Sequence, residues 1–204
     1  MGYLYDTEYA ARNLIDLAMG EERQIDKLWS RLEQVDARLK AYRWDFHTSD
    51  MHEDFSDHYV MAAFHRMAET NQEANAVRSE IDSLHASIEA KQQAVQSICG
   101  ALLQVAKQGI SLVHGSKLAA PVGRAIGDSH LRDVIWAGRN QAIHYEDGVF
   151  NDSVTSIFSH LEESFGTDFS LGAHPNLSRA AQIVKLLGWT EYNQYESDMR
   201  SLGL

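Results

Sequence analysis

The chain has 204 residues, 44% hydrophobic and 23% charged, with two prolines and one cysteine, Cys99. That length supports a hydrophobic core without a metal or disulfide staple, the lone thiol excludes an internal disulfide, and two prolines fit long helices better than many short strands. The net charge of −11 excludes nucleic-acid binding by bulk electrostatics. The apolar runs are too short for a membrane span, and Met1 to Asp6 has neither the basic start nor the apolar core of a secretion signal, so a cytoplasmic protein is expected.

Asp6 or Thr7 is expected to cap a first helix through Tyr9, Leu14 and Leu17, with a kink at Gly20. From Ile25 the apolar positions Ile25, Leu28, Leu32, Val35, Leu39, Tyr42 and Phe46 alternate steps of three and four, a heptad seam. The stretch 43–58 loses this period and is the expected turn, with Ser49, Asp50 or Asp54 as caps. His47, Asp50, His52, Glu53, Asp54, Asp57 and His58 make it dense in metal-ligand residue types. Asp54, His58 and His65 would align on a helix, yet residues of this kind in an acidic turn are ordinarily just solvated, and no metal is expected. A second seam follows, Val77, Ile81, Leu84, Ile88, Lys91, Val95, Ile98, Leu102 and Val105, whose one polar member is Lys91, its stem expected to snorkel to solvent. Two seams around a turn predict an antiparallel helical hairpin. At about 1.5 Å per residue its arms would reach roughly 50–60 Å, so it is expected to project or to pair with a second chain.

Gly109 to Gly127 is rich in glycine and small residues and is expected to end the long helix in a loop, with Gly100 as an alternative break. Asp128-Ser129 is expected to cap a helix through Leu131, Val134, Ile135 and Trp136 that ends near Asp147-Gly148. Asn151-Asp152-Ser153 caps another through Val154, Ile157, Phe158, Leu161 and Phe165. Asn176 or Ser178 starts a helix that Gly188 stops, and Thr190 caps a last one ending near Leu202. No β-hairpin is expected. The predicted fold is all-α, a long coiled-coil-like hairpin over 1–98 followed by a compact helical bundle over 99–204.

Charge is distributed unevenly between these halves. Residues 1–98 carry ten basic and eighteen acidic side chains. Residues 99–144 carry Lys107, Lys117, Arg124, Arg132 and Arg139 against only Asp128 and Asp133. Any polyanion site therefore belongs to the second half. There the segment Trp136-Ala137-Gly138-Arg139-Asn140-Gln141-Ala142-Ile143-His144-Tyr145 gathers a permanent cation, a carboxamide, an imidazole and a phenol. A guanidinium grips phosphate oxygens and stabilises the extra charge of a phosphodiester transition state. Imidazole moves protons at neutral pH. RNA supplies its own nucleophile, the 2′-hydroxyl, so this chemistry needs no metal or cofactor. Asn140, four residues before His144, shares its helix face and can orient the imidazole or the phosphate. One histidine per chain leaves the reaction short of either its acid or its base, and a symmetric dimer would supply the second.

Arg139-Asn140-x-x-x-His144 resembles the Arg-x(4–6)-His motif of HEPN domains, in which a polar residue often follows the Arg. The likeness spans residues 95–204, and its specific part is these six positions, followed by Tyr145 as in the nuclease of the unfolded-protein-response sensor. HEPN domains are all-helical modules of toxins, antiviral defence, CRISPR effectors and RNA processing. The resemblance implies a metal-independent endoribonuclease that acts as a homodimer with both motifs at the interface and leaves 2′,3′-cyclic phosphate and 5′-hydroxyl ends. It makes Arg139 and His144 catalytic, with Asn140 assisting. Tyr145 follows His144 directly, unlike the His-x-Tyr of toxins whose Tyr is modified, so that modification is not carried over.

Lys117, Arg124 and Arg132 are candidate RNA-phosphate contacts around this motif, with Trp136 and Tyr145 as candidate contacts to the bases. His130 is the next histidine of interest, His114, His160 and His174 are scattered, and Cys99 reads as an inert, buried thiol. Trp44, Trp189, Tyr192 and Tyr195 read as packing residues. The other reading is a non-catalytic interaction module whose coiled-coil hairpin recruits a protein partner or an antitoxin.

Overall fold

A computed structural model describes residues 2–48 and 57–204, with side-chain surroundings for 2–41, 68–69 and 72–204. The expected turn with its His47–His58 cluster, and the seam residues Tyr42 and Phe46, lie outside the described side chains. The fold is all-α. Helix α1 spans Tyr3–Thr48 and α2 spans Asp57–His114. A short 3-10 turn at Lys117–Ala119 and strands β1 (Ala125–Ile126) and β2 (Ser129–His130) lead into α3 (Leu131–His144). A 3-10 turn at Tyr145–Asp147 precedes α4 (Asp152–Phe165), and α5 (Ala180–Leu186) and α6 (Tyr192–Ser201) complete the chain.

By their contacts the residues divide into two compact units, Arg23–Gln92 and a second made of Met1–Glu22 with Gln93–Leu204. The expected division at 98/99 did not foresee that the first 22 residues pack with the second half. Within Arg23–Gln92, α1 and α2 run antiparallel, as their partners descend while the numbering rises. Lys91 Nζ donates to Gln24 Oε1 at 2.6 Å, Trp29 stands edge-on to His85, and Arg31 and Arg38 both reach Glu80. Val35, Leu39, Ala74 and Val77 form the buried seam with Ile81 and Leu84 beside it. The heptad spacing produces this contact directly, because a 3.5-residue repeat keeps one apolar stripe facing its partner.

In the other unit Ala11, Ile15 and Ala18 of α1 are buried, as are Cys99, Leu102, Leu103, Ala106 and Ile110 of α2. Burial pushes the Cys99 thiol up to about 12, which suits an inert side chain. Tyr3 Oη donates to Val105 O at 2.8 Å, and Lys185 on α5 pairs with Glu22.

Several expected boundaries are corrected by packing. α1 starts at Tyr3 and continues through Gly20, so Asp6 and Thr7 lie inside its first turns. α2 continues through both Gly100 and Gly109 and ends at His114, where Gly115 takes φ +76°. Gly109 does not break the helix because it makes room for neighbours: a Cβ there would lie 2.5 Å from Tyr3 Cε1 and would also strike the Leu204 side chain. Asp128-Ser129 is not a helix cap but part of a small β-hairpin, Ala125 paired with His130 and Ile126 with Ser129 across Gly127-Asp128. α3 then begins after His130 with no side-chain cap. Asn151 does cap α4, accepting from Val154 N at 3.0 Å.

Candidate functional site

α3 buries Leu131, Val134, Ile135, Ala137, Gly138 and Gln141, which leaves Arg139, Asn140 and His144 at the edge or outside of the core. Its inner face lies antiparallel to α2. Gly100 of α2 faces Ala142, Leu103 faces Gly138, Gln104 faces Arg139, and Lys107 lies 4.5 Å over the Trp136 ring. Gly138 fits this crossing closely, since a Cβ would come within 3.2 Å of Ile183 on α5 and 3.4 Å of Leu103.

Arg139 is half-buried. Its Nε donates to Gln104 Oε1, and its Nη1 donates to Asn140 Oδ1 at 3.1 Å. Among the described residues it makes no ion pair, so two neutral amide oxygens hold a guanidinium that keeps its full charge. His144, the last residue of α3, has its side chain 56% exposed, and its Nδ1 lies 3.2 Å from Asp147 Oδ2. An ionised carboxylate only accepts, so Nδ1 carries the proton in that contact and Nε2 is left to exchange one. Arg139 and His144 are five residues apart, about 140° around the helix axis. The Asn140 side-chain oxygen accepts from Arg139 rather than meeting His144, a contact with the guanidinium that the expected roles, orienting the imidazole or the phosphate, did not include.

The other expected contacts are placed differently. Lys117 Nζ is 2.8 Å from Asp133. Burial raises the Asp133 carboxyl, but the Lys117 and Arg132 hydrogen bonds and charges outweigh it and hold the group below the usual carboxylate range. Arg132 donates to Ala120 O at 2.8 Å and leans on Asp133. Arg124 donates from Nε and Nη2 to Asp198 at 2.8 and 2.9 Å and from Nη2 to Leu187 O. Asp198, 2% exposed, also accepts from Trp189 Nε1 at 2.8 Å and Gln194 Nε2 at 3.2 Å. These three cations therefore face their own protein's carboxylates. Trp136 is half-buried beneath Lys107. Tyr145 Oη donates to Glu146 at 3.1 Å, a bond that raises the phenol's pKa. His130 is exposed, His160 Nδ1 meets Ser129 Oγ at 3.3 Å, and His114 Nε2 donates to Leu202 O at 2.7 Å. Among the described residues no group of three His, Cys, Asp or Glu is arranged to hold a metal ion. A cavity of about 620 Å³ lined by Arg124, Leu187, Gly188, Thr190, Glu191 and Gln194 contains none of the motif residues.

Two glutamines were missed by the sequence reading. Gln141, 1% exposed, donates to Leu177 O and accepts from Arg179 N, both at 2.8 Å. Gln96 accepts from Ala181 N at 2.9 Å. Arg179 offers α5 no side-chain cap; Ser178 Oγ accepts from Ala180 N at 3.3 Å, and the glutamines take the N–H groups on either side, Gln141 that of Arg179 and Gln96 that of Ala181. The available signal was a polar residue on the Leu131, Val134, Ile135, Gly138 stripe, where Gln141 falls one turn beyond Gly138. No helix of the described residues is long and apolar enough to cross a membrane. No family model matches the chain, and neither does any curated protein or solved structure.

Proposed function

We propose that the protein is a metal-independent endoribonuclease of HEPN type, acting as a homodimer in the cytoplasm. The observation that carries this reading is the state of Arg139, a half-buried cation aimed by Gln104 and Asn140 with no carboxylate paired to it among the described residues, five residues from an imidazole backed by Asp147. The guanidinium grips the non-bridging oxygens of the scissile phosphate and holds the charge that grows there. His144 Nε2 takes the proton of the 2′-hydroxyl as its oxygen attacks phosphorus. The P–O5′ bond breaks, and a second His144, from the other copy, gives a proton to the leaving 5′-oxygen. The products are a 2′,3′-cyclic phosphate and a 5′-hydroxyl.

Support for a second copy at this end of α3 comes from exposed apolar side chains around it. Ile143 is next to His144. Val149 follows Gly148, where a Cβ would lie 2.8 Å from Asn176 Oδ1, and Leu177 comes after Asn176. Such side chains at one end of a helix mark an interaction face. In the setting the family likeness suggests, a toxin or defence effector, the hairpin is the surface for a neutralising partner.

The test is incubation of wild-type and His144→Ala protein with total RNA in EDTA, followed by analysis of fragment ends. Cleavage by wild type alone, with cyclic-phosphate ends, is expected. No cleavage, or equal cleavage by His144→Ala, overturns the reading in favour of a non-catalytic interaction module that works through its helical hairpin.

A further inference from the structure

We propose that Gln104, on α2, is the positioning residue that aims Arg139 at a phosphate while leaving its charge intact. This rests on the ribonuclease reading above and adds a residue that the Arg-x(4)-His pattern does not contain. A guanidinium has five N–H groups. Gln104 takes the one on Nε and Asn140 takes one on Nη1. Three remain, both on Nη2 and the second on Nη1, enough for a bidentate grip on a phosphate.

The geometry that fixes Gln104 is the close approach of α2 and α3. Gly138 admits Leu103, and a Cβ at Gly100 would lie 3.6 Å from that of Ala142. Gln104 sits between these contacts and Lys107, so its amide reaches Nε from a backbone that packing holds in place. An amide oxygen at that point orients without neutralising. A carboxylate orients and neutralises together, which is the arrangement Asp198 gives Arg124 in the same unit. Position 104 thus decides whether Arg139 is a phosphate ligand or one half of an internal ion pair.

The experiment uses the full chain and a 2′-O-methyl RNA oligonucleotide, which binds but has no free 2′-hydroxyl to attack. Affinity is measured across a range of salt for wild type, Arg139→Ala, Gln104→Glu and Gln104→Met, with melting temperatures alongside. Loss of one phosphate contact lowers the slope of log affinity against log salt by about 0.7. That decrease is expected in Arg139→Ala and equally in Gln104→Glu, which should bind about tenfold more weakly while melting at or above the wild-type temperature. Gln104→Met keeps the charge and therefore the slope, but loses the aim, so its kcat on unmodified RNA falls with KM little changed. Wild-type affinity and slope in Gln104→Glu, with both reduced in Arg139→Ala, overturn the role of Gln104 and leave the ribonuclease reading standing. If Arg139→Ala also binds like wild type, or wild type does not bind, the reading itself fails and this inference with it.

Discussion

Lys117, Arg124 and Arg132 each face a carboxylate, whereas Arg139, two turns beyond Arg132 on α3, faces two amide oxygens. All four cations belong to the stretch 99–144 with its positive balance, and charge alone does not distinguish them. The fold uses the first three to join segments. Lys117 fastens the loop after α2 to α3 through Asp133, Arg132 fastens it through the Ala120 carbonyl, and Arg124 fastens the β-hairpin region to α6 through Asp198. Of these four, Arg139 is the one oriented by amide oxygens with no ion pair among the described residues. A guanidinium in that state can exchange water for an anion without first breaking an ion pair, so positive balance along the chain does not by itself tell which cation is open to one.

That contrast can be broken by substitution on either side. The largest effect is expected at Arg139. Arg139→Ala should lower RNA cleavage by about 10²-fold or more, the usual loss when a transition-state charge donor is removed, with a melting temperature close to wild type. A large drop in melting temperature would instead put Arg139 with the structural cations. The next effect is on stability. Asp198→Ala leaves Arg124 and Trp189 without their shared acceptor, and urea unfolding should show a loss of about 3 kcal/mol, the low end for a broken buried pair because the Arg124 side chain is 40% exposed. A loss below about 0.5 kcal/mol would mean that the pair holds nothing together.

The smallest effect is pH-dependent and sharpens the comparison. Asp133 has its folded-state pKa lowered, so its contribution to stability is present above the unfolded carboxyl pKa of about 4 and is lost as pH falls through the folded value. Wild type should be more stable than Asp133→Asn at neutral pH, by up to about 1 kcal/mol. Thermal melts at decreasing pH should bring the two together below about pH 4. A gap that persists at lower pH would assign Asp133 a packing role instead of an ion-pairing one.

How much of this was legible in the sequence varied with the range of the interactions involved. The α1–α2 seam was readable because heptad spacing is a local property that fixes which side chains face a partner. The Asn151 cap was readable for the same reason, since its acceptor lies three residues away. Gly109 misled because the signal of a glycine is ambiguous: it can free the backbone or remove a side chain. Tyr3 and Leu204, from opposite ends of the chain, decide for the second use. Gly127-Asp128 carried a usable two-residue hairpin signal that the surrounding glycines obscured.

The candidate site divides in the same way. Arg139, Asn140 and His144 were visible as residue types at suggestive spacing. Their electrostatic state was not, because it depends on Gln104, which lies 35 positions away, and on carboxylates elsewhere that engage the competing cations. Amino-acid sequence alone determined the all-α class, the hairpin seam and the residues with the chemistry to act on a phosphodiester. Tertiary structure decided which cation has no carboxylate partner among the described residues, that the first 22 residues join the second half, and that glutamines from α2 and α3 take N–H groups at the start of α5. The physical reason is that periodicity and capping are written within a few residues, whereas the partner of a buried charge or an uncapped N–H is chosen by whatever the fold brings beside it.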